Sequence, residues 1–462
     1  MTRFIPRFVT PTFGRFDALI ITILIGLFLF NMGMLWRGNQ VGVRLITSHP
    51  QPYATSVSTL SHISLTFDQP ISPTVESPLS LTPAVSGTTM WDGGRLTFTP
   101  HQPLQPDTRY QAKLDPTLTS QSGRPYTDLT TWQFRTRQPK IIYLVPHETE
   151  PTQLHLLDPH TRQSQPLTSE PHGVFDYALS PDGGMIAYST WNRAEERNLW
   201  LIDLETHERQ ALFPCLDGIC SGVSWAKDGR RLIYERRDFI TGSDRLSAPR
   251  LWWFDLTNQQ TWSLFEDESQ LGYGATISPD GLWLSYMAGN EQSIAIQNLQ
   301  TGDTRLIPNG TGARPVWNPD SQSLTITDIQ ADHDGFGVHL FKAELGNEQL
   351  IDLSTGQIQV EDSSPAWSSD GQQLAFTRKL AGVSMGKQVW LLDLNSGKSY
   401  SLTDELDIHF SVPTWSPDGM QLIFQQFSLK QMGSLPSIWG MDVVSGEINQ
   451  LAPVGSQPSW LP

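Results

Sequence analysis

Short apolar strands separated by a recurring polar turn fill the last two-thirds of this 462-residue chain. The turns are Ser180-Pro181-Asp182-Gly183, Lys227-Asp228-Gly229, Ser278-Pro279-Asp280-Gly281, Asn318-Pro319-Asp320-Ser321, Ser368-Ser369-Asp370-Gly371 and Ser416-Pro417-Asp418-Gly419. Their aspartates are 46, 52, 40, 50 and 48 residues apart. Proline at the second position, aspartate bonding the local backbone and glycine at the fourth suit a type I β-turn, so each string reverses a strand. The apolar strand before each turn ends in Trp225, Trp317, Trp367 or Trp415, with Leu179 and Ile277 in the other two repeats. A second strand follows, as in Met185 to Ser189 and Leu422 to Gln425. A third closes on Asp-Leu or a variant of it, as in Leu199 to Leu204, Leu251 to Leu256, Val389 to Leu394 and Ile438 to Val443, and a polar turn leads to a short fourth. Four hairpin-linked strands at this period make one propeller blade, which buries its faces by stacking on its neighbours.

Ile141 to Thr168 supplies strands two, three and four of such a blade, but nothing before it supplies the first. Pro458-Ser459-Trp460 matches the end of the first-strand pattern at Pro413-Thr414-Trp415. The C-terminal strand is therefore predicted to complete the N-terminal blade, giving seven blades and leaving no free sheet edge in the ring. Ala331 to Asn347 interrupts the fifth repeat, which keeps six and eight blades as alternatives.

Over residues 140–462 these repeats resemble β-propellers of the TolB type, which are WD-repeat-like and combine a tryptophan strand, a Ser-Pro-Asp-Gly turn and a strand ending in Asp-Leu-x-Thr-Gly. The resemblance implies a non-enzymatic scaffold that binds another envelope protein or a peptide.

Residues 40–137 follow a different pattern. Short strands at His62 to Phe67, Leu79 to Thr82, Thr88 to Trp91, Arg95 to Thr99, Arg109 to Leu114 and Thr131 to Thr136, broken by Pro, Gly and Asp, predict a β-sandwich. Pro106-Asp107-Thr108-Arg109-Tyr110 has the form of a tyrosine corner. The strings Ile63-Ser64-Leu65-Thr66-Phe67-Asp68, Leu96-Thr97-Phe98-Thr99-Pro100 and Trp132-Gln133-Phe134-Arg135-Thr136 resemble bacterial Ig-like domains of the SbsA type. That resemblance implies a spacer or adhesive module.

Residues 18–36 form an uncharged apolar run that as a helix would span roughly 28 Å, close to a bilayer core. Arg3, Arg7 and Arg15 precede it and Arg37 follows. That asymmetry predicts a transmembrane signal anchor with residues 1–17 cytoplasmic and the rest extracytoplasmic. A cleaved signal peptide is the alternative, but the run is longer than the usual apolar core and no Ala-x-Ala string follows it. Leaving aside those four arginines and Asp17, 27 basic residues face 46 acidic ones, a net of −19. Such a surface repels phosphate backbones and argues against nucleic acid.

The only cysteines, Cys215 and Cys220, share one loop. Outside the cytoplasm they are expected to pair, and a metal would need further ligands that no nearby His or Cys provides. No catalytic residue and no cofactor is expected. Gly382-Val383-Ser384-Met385-Gly386 matches G-x-S-x-G, yet it falls between two strands of one blade where no strand-to-helix elbow is predicted. Asp332-His333-Asp334-Gly335 resembles a fragment of a calcium loop but lacks the remaining ligands, so it reads as a solvated insertion. Propellers bind where the loops entering the innermost strands converge. Three residues before each tryptophan position, that ring is Asp176, Gly222, Gly274, Arg314, Ser364, Val412 and Gln457. The candidate binding residues are Asp176 and Arg314 of the ring, together with His172, Tyr177, Tyr273, Asp362 and His409. An all-β protein follows, a TolB-like propeller with an Ig-like sandwich and one transmembrane helix. Besides the scaffold reading stand a hydrolase or lyase carried on the propeller and a carbohydrate-binding adhesion module.

Overall fold

The computed structural model describes residues 14–38, 42–72, 78–115, 117–126, 128, 131–147, 149–192, 196–243, 245–332, 335–354, 359–431 and 433–462. Residues 333 and 334 of the Asp332 to Gly335 string lie outside that set. Two compact units account for the described residues. One falls within Met1–Ala54, His62–His101 and Tyr110–Phe134; the other comprises Thr55–Ser61, Gln102–Arg109 and Arg135–Pro462.

The first unit carries the only helix among the described residues, Arg15–Gly38. The helix expected over 18–36 is therefore present. Among the described residues, however, no helix is long and apolar enough to cross a membrane. Its described side chains run unbroken from Ala18 to Gly33, about 24 Å of helix against a hydrocarbon core of roughly 30 Å.

The β-structure of this unit is the predicted sandwich. One sheet orders Leu45–His49, Ile63–Phe67, Arg95–Pro100 and Gly87–Asp92; a second orders Leu79–Thr82, Arg109–Leu114 and Thr131–Arg135. Side chains alternate as a half-buried strand requires: in Arg109–Leu114, Tyr110, Ala112 and Leu114 are buried while Arg109, Gln111 and Lys113 are exposed. Tyr110, at the expected tyrosine corner, is buried and stacks on Phe134 with ring centroids 5.5 Å apart.

In the second unit the strands group in fours. Val174–Leu179, Met185–Trp191, Arg197–Asp203 and Arg209–Phe213 pair in sequence as consecutive antiparallel neighbours, and the same order recurs from Gly218–Trp225 to Ile448–Ala452. The odd set is the first. Lys140–Val145, Gln153–Leu157 and Ser164–Pro166 take their fourth strand from Ser456–Leu461, which pairs antiparallel with Lys140–Val145 through Lys140↔Leu461, Ile141↔Trp460 and Ile142↔Ser459. The unit is a β-propeller closed by its C-terminal strand.

Each Ser-Pro-Asp-Gly turn is built by its own side chains. The Ser180 hydroxyl donates to Asp182 Oδ1 at 2.6 Å and accepts the Met185 N–H at 2.8 Å, while Asp182 Oδ1 accepts the Gly184 N–H at 3.0 Å. Ser368 with Asp370 and Ser416 with Asp418 repeat this at 2.6 and 2.5 Å. Glycine is needed because the fourth residue is left-handed, φ +64° at Gly183 and +71° at Gly419. Ser321 takes the same conformation at +61°, and its hydroxyl accepts the Asp280 N–H of the preceding turn at 2.9 Å, so this departure from glycine ties two blades together.

The tryptophans do likewise. The indole N–H groups of Trp225, Trp317, Trp415 and Trp460 donate to the carbonyls of Ala178, Thr276, Ala366 and Thr414, each on the innermost strand of the blade before. Trp367 departs from this pattern, its indole nitrogen being buried without a partner. Cys215 and Cys220 form a disulfide, with Cα atoms 6.0 Å apart, at the link into the Gly218–Trp225 strand.

Candidate binding face at the channel mouth

The innermost strands begin at the face opposite the Ser-Pro-Asp-Gly turns, and near that end their register slips. Shifts fall between Val174 and Asp176, Ser221 and Ser224, Tyr273 and Thr276, Ser363 and Ala366, and Ser411 and Thr414. A β-bulge leaves one residue outside the ladder. Here that residue is left-handed at Gly222, Gly274, Ser364, Val412 and Gln457, five of the seven ring positions expected from sequence.

A bulged N–H has no partner on its own blade, and the next side chain around the ring supplies one. Asp176 Oδ2 accepts the Gly222 N–H at 2.6 Å, Glu235 Oε1 accepts that of Gly274 at 2.8 Å, and Gln425 Oε1 accepts that of Gln457 at 2.7 Å. Arg314 donates to the Ala275 carbonyl at 2.8 Å, and the Tyr177 hydroxyl lies 2.9 Å from the Ile142 carbonyl and 2.6 Å from that of Gln457. Much of the ring thus serves as latches between blades.

Val412 is the strained member. A β-branched residue at φ +51° costs about 1–3 kcal/mol, and Gly222 and Gly274 hold the matching places. Val412→Gly is expected to raise stability by about 0.5–1 kcal/mol after the entropy cost of glycine, read from chemical denaturation. A loss of stability instead would show that the Val412 side chain contributes more than the strain removes.

Between the latches lies a set of charges. Burial raises the Glu235 pKa above its ordinary value, with the Gly274 N–H and Arg314 opposing. Arg314 keeps water contact while protein surrounds it, and that enclosure lowers its pKa against the pull of Glu235 and Asp176. Arg197 is likewise lowered by burial, with Asp176 opposing. Its guanidinium lies 3.5 Å from the centroid of Phe175 and 4.0 Å from that of Trp191, covering the aromatic surface that a sugar ring would need. On the other arc, burial lowers the Lys387 pKa, and Lys387 donates to the Ser363 hydroxyl at 2.7 Å. His409 stacks on Phe427 at 4.9 Å; burial first, then Lys387 and Lys379, lower its pKa, so its imidazole is neutral at pH 7.

The structure brings Asp176, Arg314, Tyr177 and His409 to this face. His172 is exposed ahead of the Val174–Leu179 strand, and Tyr273 is half-buried against the cluster around Met287 and Ile294. Asp362 is fully buried. Arg378 Nε and Nη2 engage its two oxygens at 2.7 and 2.6 Å, and the Ser354 hydroxyl adds a third bond at 2.6 Å, so this carboxylate is not offered to a ligand. Sequence reasoning missed Arg197, Glu235 and Lys387. The run Glu235-Arg236-Arg237-Asp238 at the end of an apolar strand was the available signal for one of them. Ser384 lies in the loop after the turn at residues 381–383 with its hydroxyl buried and unpartnered, so among the described residues no base is placed on it. Among the described residues no group of three His, Cys, Asp or Glu is placed to hold a metal.

Residues 39–136 match the bacterial Ig-like domain family. That segment is a bacterial Ig-like domain. Compared with curated proteins, the whole chain finds no significant match. Among solved structures, it is similar to a puromycin-hydrolysing peptidase of Mycobacterium tuberculosis, with a TM-score of 0.52 and 14% identity over 68% of this chain and 53% of that one. A puromycin hydrolase superposes with a TM-score of 0.54 and 15% identity over 69% and 52% of the two chains. TolB from Acinetobacter baumannii has a TM-score of 0.42 and 14% identity, covering 92% of this chain and all of its own. The chain spans about half the length of the two puromycin-hydrolysing proteins. At this identity the likeness is one of fold, a propeller here preceded by the Ig-like domain.

Proposed function

We propose that this chain is a non-enzymatic, membrane-anchored envelope protein whose propeller, a ring of seven blades, binds another protein or a peptide at the channel mouth. The observation that carries this reading is the mixed set of enclosed charges, Asp176, Arg197, Glu235 and Arg314 on one arc and Lys387 on the other, with the neutral imidazole of His409 on the same arc as Lys387. Enclosed groups of both signs fit a partner bearing complementary charges. The seven-blade count is supported by the sets of four strands, the first completed by Ser456–Leu461. The anchor is supported by the helix Arg15–Gly38, where Phe16, Leu19, Leu24, Phe28, Phe30 and Met32 are exposed all round; a helix apolar on every side is one that lipid solvates. Its flanking arginines favour an N-terminus in the cytoplasm.

Crosslinking capture from detergent-solubilised membranes tests both parts. The protein is expected in the membrane fraction with its N-terminus intact, and a mature N-terminus beyond Trp36 would overturn the anchor. Asp176 is left unchanged because it holds the Gly222 bulge. The variant Arg314→Ala, Lys387→Ala, His409→Ala is expected to lose the captured partner while still unfolding cooperatively; recovery of the same partners would remove this face from consideration.

The alternative of a hydrolase or lyase draws on the names of the two puromycin-hydrolysing proteins. This chain covers only half of them, and Ser384 has no base, which is why binding is the preferred reading.

A further inference from the structure

The outer half of the fourth blade carries a cleft of about 490 Å³, away from the channel bulges. One wall is the link running from Leu264 to Leu271; the other is the blade itself, through Tyr286, Ala288, Gln297 and Leu306. Leu264 and Phe265 pack against Tyr286 and Ala288, so the floor is apolar.

Tyr286 is 7% exposed, its ring packed edge-on to Phe265 at 5.6 Å. One polar group in this cleft is buried without a protein partner. Gln297 Oε1 is buried and accepts none. A buried unmade hydrogen bond costs about 1–3 kcal/mol, which a donor-bearing ligand would recover. The rim is acidic, with Glu266, Asp267 and Glu291. Glu291 lies close enough to add to the effect of burial in raising the Tyr286 pKa. Asp267 Oδ1 already accepts the N–H and hydroxyl of Ser269, both at 2.8 Å. Of the nearby cations, Arg250 is engaged by the Ser263 hydroxyl and the Asp267 carbonyl, and Arg305 donates to the carbonyls of Glu344 and Glu348.

An apolar floor, a buried acceptor and a negative rim together select one chemistry. We infer that this cleft is a second binding site, independent of the channel, for an organic cation on an apolar stem, the chemistry of a lysine or arginine side chain or of a free alkylamine. The stem covers Phe265 and Leu306, while the cationic N–H groups donate to Gln297 Oε1 and face Glu266 and Glu291.

Calorimetric titration of the full chain in detergent tests this with three probes: phenethylamine, uncharged 2-phenylethanol, and acetyl-Phe-Lys-amide. Both cations are expected to bind saturably, and the alcohol at least tenfold more weakly. The pair Glu266→Gln, Glu291→Gln is expected to weaken the amine roughly fivefold or more while leaving the alcohol unchanged, and Gln297→Leu to weaken the amine. Leu306→Arg, at a position already 48% exposed, should block the cleft while leaving the melting temperature unchanged. The peptide binding tenfold tighter than the amine assigns the site to a peptide side chain; equal or weaker binding assigns it to free amines. Equal affinity for amine and alcohol, no saturable amine binding, or full affinity in Leu306→Arg would overturn the site. Arg314→Ala should leave amine binding intact, so a failure of the channel reading remains distinguishable.

Discussion

Deleting residues 456–462 is expected to abolish the cooperative thermal transition of the propeller. The closing strand supplies the innermost ladder of the first blade, pairing with Lys140–Val145. Trp460 and Leu461 are 7% and 3% exposed and join the clusters on either side, Trp460 with Tyr143, Ile423 and Ile438, Leu461 with Ile142, Leu144 and Ile186. Removing a buried tryptophan alone costs about 3–5 kcal/mol, a large share of the 5–15 kcal/mol by which folded domains are typically stable. The same strand holds polar ties: Trp460 to the Thr414 carbonyl, Gln457 to Gln425, and the Pro462 carbonyl to Arg137 Nε at 2.6 Å. Burial lowers the pKa of that arginine to about 10, and its other nitrogen reaches the Gly183 carbonyl, also at 2.6 Å. The truncated ring would also expose sheet edges that favour aggregation. Circular dichroism melting with light scattering provides the measurement. A truncated chain that melts cooperatively within a few degrees of the intact one would mean that the ring does not depend on its closure. Trp460→Ala, expected to lose about 3–5 kcal/mol yet still fold, provides the graded version.

Asp362→Ala is expected to destabilise the propeller by about 3–5 kcal/mol. Arg378 is 1% exposed, and the two Asp362 oxygens are its side-chain partners. Its guanidinium otherwise faces the rings of Phe376 and Trp390, each 5.0 Å from centroid to Cζ. Without the carboxylate a full charge is left in a pocket that water does not enter. The loss extends to Ser354, whose hydroxyl links Asp362 to the Leu340 N–H. Related blades make the same cap without any charge: Thr168 and Thr403 cap the N–H groups of Leu154 and Val389 and donate to Gln153 and Gln388. The ion pair is therefore replaceable in principle, and Asp362→Leu with Arg378→Met is expected to recover most of the loss. Urea unfolding of the single and double variants decides the matter; a single variant within about 1 kcal/mol of wild type would show that Arg378 finds another acceptor.

The turns and strands were legible in the sequence because their chemistry is local. Serine, aspartate and glycine within six residues make a turn whatever surrounds them, and period-two apolar runs make strands with a buried face. The closing strand was legible for the same reason: Pro458-Ser459-Trp460 repeats a pattern found earlier in the chain. The cysteine pair, five residues apart, needed no more than a shared loop. At the channel mouth the sequence placed the ring but not its use. Asp176 and Tyr177 looked like groups available to a ligand; they are committed to Gly222 and to the carbonyls of Ile142 and Gln457, partners up to 280 residues away. Asp362 could not be recognised as the partner of Arg378 because the bulge between Ser363 and Ala366 shifts by one residue the register that the Ser368–Gly371 turn sets.

By itself, then, the sequence determined the repeat, the strands and the way the ring closes, since each follows from interactions among near neighbours or from one motif recurring. Only the tertiary structure decided which polar groups are occupied and which are free. That depends on what the next blade presents to each bulged N–H and each buried carboxylate, and on Gln297 Oε1 being left buried beside an acidic cleft without a partner.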